Sequence, residues 1–275
     1  AFGQGPVIAF ASDTQAPMWI EDVFLRSNQN ERATSLIFND VVSQKPFALI
    51  LLGDVVSLGH KEKKWVRIDK YLKTCRDSGI YVTALLGNHD VMRRAKKGET
   101  TFQKRFKDHA RIGYVKVIDS IAIVLLNSNF TKLSKVDRAE QEEWLQSTMD
   151  KLDRDPAVYS TIVTCHHAPY TNSKVVGSNK NVQKLFVPPF MKSAKGKLFI
   201  TGHSHNFESF MQNGKQFLII GGGGGPHQPL RNTPDKLQDI YPEYKPMFHY
   251  LLVTRVKEGL SVTSRFLRDD FTGFD

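Results

Sequence analysis

Cysteine is scarce in this chain: Cys75 and Cys165 are the only two among 275 residues. That excludes a disulfide-stapled scaffold and a zinc site built from four thiolates. No apolar run approaches the roughly 20 residues a membrane-spanning helix needs. The longest, Ala48–Leu52 and Ile121–Leu126, are strand-sized. No segment repeats at a solenoid period, and no Pro-, Gly- or Ser-rich stretch divides the chain. Hydrophobic (40%) and charged (24%) fractions are ordinary, which excludes a disordered chain, a collagen-like chain and a coiled coil. The expected organisation is a single domain over residues 1–275.

Acidic residues are also in short supply, 28 against 38 Lys and Arg, for a net charge of +10. A basic surface attracts phosphates, nucleic acids and anionic membranes without specificity. The positive charge is concentrated between Arg93 and Lys107. Arg93 and Arg94 could rim a site for an anionic substrate; a solvated surface loop is the competing reading. The sequence opens on Ala1, with neither Met nor a hydrophobic leader. Ala1 suits the position after a signal-peptidase cut, so a periplasmic or secreted mature chain is expected, with a cytoplasmic one as the alternative.

Over the first ninety residues, strand-sized apolar runs alternate with helical periodicity. Val7–Ala11, Ala48–Leu52 and Tyr81–Leu86 read as strands; Asn28–Ser43 and Lys61–Ser78 read as helices, the latter with Trp65, Ile68 and Leu72 on one face. This order predicts an α/β arrangement of parallel strands joined by crossover helices. Further on come a hairpin over Tyr114–Ile118 and Ile121–Leu126, a helix over Asp137–Leu152, and strands at Thr161–Cys165 and Leu198–Thr201. A second hairpin turns at Asn213-Gly214 and a last one at Glu258-Gly259. Gly221–Gln238 is the longest irregular stretch; its glycines are not a dinucleotide fingerprint, because no helix pattern follows and Pro226 intervenes.

Asp13, Asp54, Asn88, His166 and the pair His203/His205 each stand just past the carboxyl end of an apolar strand. Ligands of open α/β sheets bind outside those strand ends, so side chains distant in sequence can meet there. Singly, an Asp after a strand is a turn or cap residue and a His is structural. Together with Gln15 they form an inventory of oxygen and nitrogen donors for metal. Seven donors exceed one tetrahedral ion and suit two ions sharing a bridging carboxylate.

The blocks Asp13-Thr-Gln15, Gly53-Asp54, Gly87-Asn88-His89-Asp90, His166 and Gly202-His203-Ser204-His205 resemble the five signature blocks of the calcineurin-like metallophosphoesterase superfamily. The resemblance implies a two-sheet β-sandwich flanked by helices, an α/β (α+β) fold with a dinuclear site at the sheet ends. It implies that Asp54 bridges two divalent metal ions, that Asp13, Gln15 and His205 bind the first, and that Asn88, His166 and His203 bind the second. It further implies a phosphatase or phosphodiesterase in which a hydroxide held between the ions attacks phosphorus, with His89 catalytic at the leaving group.

Two departures matter. The first block usually ends in His, and Gln15 stands there instead. An amide oxygen hardens that site and favours manganese or iron over zinc, with magnesium also open; alternatively Gln15 only supports a ligand through a hydrogen bond. Asp-x-Gln is also similar to the first block of manganese-dependent ADP-ribose/CDP-alcohol pyrophosphatases. Ser57 occupies the place of the tyrosine of purple acid phosphatases and of the aspartate of protein phosphatases, so no purple band and no protein-phosphatase activity are expected. The expected substrate is a small phosphorylated compound, with nucleotides among the candidates. A nuclease is less favoured, because Arg93–Lys107 interleaves only Phe102 and Phe106 among its charges. A non-catalytic metal-scaffold binding protein is a further alternative. His167 could touch a substrate oxygen; if the chain is still extended there, strand alternation points it away from the side His166 faces, which favours a structural role. His227 and His249 have no spacing partner and are read as structural.

Overall fold

The computed structural model describes residues 5–18, 21, 25, 28–257 and 259–275. Ala1 and Glu258 lie outside the described residues.

Strand β1 (Ile8–Ala11) pairs in parallel with β2 (Ala48–Leu51), and β2 with β3 (Tyr81–Ala84). The crossovers are helices α1 (Asn30–Gln44) and α2 (Glu62–Asp77), as the alternating pattern predicts. The closing hairpin, β10 (His249–Val256) and β11 (Gly259–Phe266), adds antiparallel to β1 and completes a sheet ordered β11-β10-β1-β2-β3.

The second sheet has six strands. They are β4 (Gly113–Ile118), β5 (Ile121–Leu126), β6 (Ser160–Thr164), β7 (Gly196–Thr201), β8 (Phe207–Gln212) and β9 (Lys215–Ile220), ordered β4-β5-β6-β7-β9-β8. Between β5 and β6 runs α4 (Lys135–Arg154), started by a reciprocal capping box between Ser134 and Asp137. The sequence pattern missed α3 (Ala95–Gln103), α5 (Lys180–Leu185) and α6 (Val187–Lys192). The basic stretch from Arg93 is therefore a loop entering a helix rather than a loop throughout.

Alternation within the strands explains why they read as unbroken apolar runs. In β1, Ile8 and Phe10 face the layer between the two sheets, while Ala9 and Ala11 face α1 and α2. In β5, Ile121, Ile123 and Leu125 face that middle layer, while Ala122, Val124 and Leu126 pack under α4 with Leu145 and Met149. The parallel strands at the centre of each sheet are thus buried on both faces. The outcome is a helix–sheet–sheet–helix sandwich, the expected fold. The carboxyl ends of β1, β2, β3, β6 and β7 open onto one edge, where the candidate residues sit.

Candidate metal centre

Tight loops after the strands deliver these side chains. Asp13, Asp54, His203 and His205 have φ of 59°, 49°, 71° and 35°, in the left-handed region that side chains other than glycine seldom enter. Four non-glycine residues held this way at one edge mark a functional site rather than ordinary turns. Backbone bonds lock the loops together: Gln15 N donates to Asp54 O and Asp13 N to Gly53 O. Close approach is enforced at Gly87, where a Cβ would lie 2.1 Å from Asp54 Oδ1, and at Gly225, where one would lie 2.5 Å from His205 Cε1. The glycine stretch thus does bring backbone up against the site.

The two carboxylates are treated alike. Asp54 Oδ1 accepts from His89 N (2.7 Å) and Asp13 Oδ2 from His203 N (2.9 Å). Their other oxygens, Asp54 Oδ2 and Asp13 Oδ1, are buried with no hydrogen-bond donor among the described residues. Imidazoles surround them. His166 Nε2 is 3.2 Å from Asp54 Oδ2 and 4.0 Å from Asp13 Oδ1, and His205 Nε2 is 3.3 Å from Asp13 Oδ1. His166 Nδ1 donates to Leu52 O (2.9 Å) and His205 Nδ1 to Pro226 O (2.8 Å). A carbonyl only accepts, so each Nδ1 carries the hydrogen and each Nε2 turns toward the carboxylates.

The remaining candidates join this cluster. Asn88 Oδ1 lies 3.1 Å from His166 Nε2. The His203 ring stands edge-on to His166, centroids 5.0 Å apart. Asp54, His166 and His203 each offer a donor atom within 4.8 Å of the others. In the amide orientation that satisfies both its ends, the Gln15 NH2 donates to Asp13 O (3.2 Å) and Asp54 O (2.7 Å). Its oxygen then faces His205 Nε2 at 3.3 Å. All seven donors therefore converge. Two buried anionic oxygens without protein donors, ringed by imidazole nitrogens and amide oxygens, fit divalent cations.

Electrostatics agree. Burial opposes ionisation of Asp54, but His166 and His89 outweigh it and hold the carboxyl well below the usual range. Asp13 is lowered in the same way by His166 and His205. Burial would lower His166, yet Asp54 and Asp13 lift it to about 9. His203 falls well below the ordinary imidazole value through burial and the neighbouring His167 and His166.

His89 stands over the cluster, with Nδ1 3.2 Å from Ser57 O and Nε2 3.8 Å from Asp54 Oδ2. His167 is a correction. β6 ends at Thr164, so strand alternation no longer applies, and its ring packs 4.5 Å from that of His203. Its Nδ1 meets Ser128 Oγ at 2.8 Å, and burial and His166 depress it to about 3. Arg93 and Arg94 make no ion pair or hydrogen bond with the cluster; they line a separate cleft together with His60. His227 Nδ1 and His249 Nδ1 each bond a backbone carbonyl, the structural role expected.

Sequence reasoning gave Asp90 no role. Its buried carboxylate accepts from the backbone N–H of Val55, Val56 and Gly87, tying the loop of Asp54 to that of Asn88 and His89. Its place at the end of Gly87-Asn88-His89-Asp90 was the available signal. Burial, with Asp54 adding to it, raises Asp90 to about 7.

Residues 6–207 match the family model described as calcineurin-like phosphoesterase. The chain belongs to that family. Among solved structures it is similar to a purple acid phosphatase from yellow lupin seeds, with TM-score 0.71 and 15% identity over 95% of this chain. The chain covers 51% of that protein, about half its length. It is also similar to GAP50, the anchor in the inner membrane complex of Plasmodium (TM-score 0.64, 11% identity, 96% of this chain and 85% of that one). A dimetal phosphatase from Danio rerio matches with TM-score 0.57 and 13% identity over 95% of this chain and 99% of that one. At these identities the likeness is one of fold. No sequence among the curated proteins matches.

Proposed function

We propose that the chain hydrolyses phosphoester bonds at a dinuclear centre. The observation that carries this reading is the pair of buried oxygens, Asp13 Oδ1 and Asp54 Oδ2, that no backbone, hydroxyl or amide hydrogen satisfies among the described residues and that His166, His203 and His205 enclose. Asp54 would bridge; Asp13, Gln15 and His205 would hold one ion, and Asn88, His166 and His203 the other. The oxygen-rich first set favours manganese or iron. When bound, such ions polarise phosphoryl oxygens and acidify a water.

The chain's own residues do the rest. Leu52 O and Pro226 O fix the tautomers that aim Nε2 of His166 and His205 inward. Ser57 O takes the Nδ1 hydrogen of His89, leaving Nε2 to hold or give a proton at the leaving oxygen. His167, neutral at physiological pH, can offer Nε2 to a phosphoryl oxygen.

Gln15 in Asp-x-Gln favours one narrower reading, a nucleotide pyrophosphatase of the manganese-dependent kind. An add-back assay separates these. Metal-stripped protein is supplied singly with manganese, iron, zinc or magnesium and offered p-nitrophenyl phosphate, bis-p-nitrophenyl phosphate and ADP-ribose. Turnover of any of them upholds phosphoester hydrolysis, and preference for ADP-ribose upholds the narrower reading. Two ions bound per chain with no turnover would move the protein to a binding role.

A further inference from the structure

A cleft of about 600 Å³ lies beside the candidate centre, lined by His60, Lys61, Lys63, Arg93, Arg94 and Lys97. The one acidic lining residue, Glu62, is engaged elsewhere, by Lys104 (3.1 Å) and Arg105 (2.9 Å). Among the described residues, Lys61, Lys63, Arg93, Arg94 and Lys97 have no ion-pair partner. The cleft shares backbone with the candidate centre: Gly59 N, next to His60, donates to His89 O at 3.2 Å.

The cations stand where a helix least tolerates them. Lys61 is the N-cap of α2 and Lys63 lies in its first turn; Arg94 is the N-cap of α3 and Lys97 lies in its first turn. A helix N-terminus carries partial positive charge and favours anions. Neither N-cap supplies a side-chain hydrogen bond, and α3 has no acidic residue in its first turn. Two positive helix ends and five cations without an ion-pair partner among the described residues therefore line a single cleft. A second, independent feature sits in its wall. His60 is only 8% exposed, and its Nδ1 has no hydrogen-bond partner among the described residues. Burial, with Arg94 and Lys61 adding to it, pushes that imidazole below its ordinary value. A bound polyanion would neutralise the helix ends and cations together.

We propose that this cleft is a binding site for an oligophosphate: two or more linked phosphate groups seated between the N-termini of α2 and α3. They come either from the far end of a substrate held at the metal centre or from a free anion.

The test is calorimetric titration of inorganic tripolyphosphate into the full chain in excess chelator. Metal is withheld so that no bound ion recruits the anion to the centre, and the cleft variants assign the signal. One tripolyphosphate per chain is expected. Lys63→Glu/Lys97→Glu should weaken it by about tenfold or more, while Lys184→Glu/Lys192→Glu, an equal charge change on exposed positions elsewhere, should alter it by less than about twofold. If the reversal variant does not fold, Lys63→Ala/Lys97→Ala gives the same reading with a smaller loss. No binding by the wild-type chain, or equal losses in the two reversal variants, overturns the proposal.

Metal-loaded protein distinguishes the sources, an arm that rests on the proposed hydrolysis. A rise in KM for adenosine triphosphate much larger than for p-nitrophenyl phosphate in Lys63→Glu/Lys97→Glu assigns the cleft to the substrate's distal phosphates. Lost tripolyphosphate binding with KM unmoved for both assigns it to a free anion. A silent hydrolysis assay leaves the binding arm intact, so the two readings fail separately.

Discussion

His166 Nε2 stands 3.2 Å from Asp54 Oδ2, a buried carboxylate oxygen that, among the described residues, only a protonated imidazole could satisfy. On the proposed reading, that contact separates the residues that would hold metal from those that only stand near it. Asp54→Asn removes the carboxylate charge between the two candidate ion positions and should lose both metal and turnover. His89→Ala removes a group beyond the cluster; it should keep the metal and lose turnover by about 10²–10⁴-fold. Metal content by elemental analysis, beside p-nitrophenyl phosphate kinetics, checks both. Equal metal loss in the two variants would show this division of roles to be wrong.

If His166 is a ligand, protons and metal compete for it. Its value of about 9 means that at neutral pH the metal-free chain carries a proton there that an ion must displace. Metal binding should release protons at pH 7.5, and the release should fade above about pH 9.5, as calorimetry in buffers of different ionisation enthalpy would show. The sign for stability follows from the raised value. In the metal-free chain the stabilising contribution of His166 is complete below its unfolded value near 6.5 and is lost as pH rises through about 9. Metal-free melting temperatures should therefore fall across that interval.

Gln15 should set metal preference. Gln15→His replaces an amide oxygen by a nitrogen donor, so zinc affinity should rise by about tenfold or more relative to manganese. An unchanged order in a metal-swap titration would remove Gln15 from the ligand set.

Asp90 should be a structural clasp. Asp90→Ala leaves the buried N–H groups of Val55, Val56 and Gly87 without their acceptor, at a cost of about 2–4 kcal/mol. Chemical denaturation of metal-free protein reads this directly, free of any change in metal affinity.

Much of this was legible because strand burial and strand-end placement are local. β1, β2, β3, β5 and β6 showed as apolar runs since both their faces are covered. The candidate donors showed because each follows such a run at once. What escaped depends on distant contacts. The short helices α5 and α6 rest on Val182, Phe186 and Phe190 packing beneath the second sheet, too few residues to set a period. α3 was hidden by its charge, since only Gly98, Thr101 and Phe102 are buried along it. The orientation of His167 could not be read because it depends on where β6 stops, and β6 stops at Thr164, before it.

The most direct test is a stoichiometric one: manganese titrated into metal-free protein with p-nitrophenyl phosphate or ADP-ribose turnover followed at each addition. The account predicts no turnover without metal and a rise that levels off at two ions per chain. Turnover complete at one ion, or persisting in metal-free protein, would contradict it.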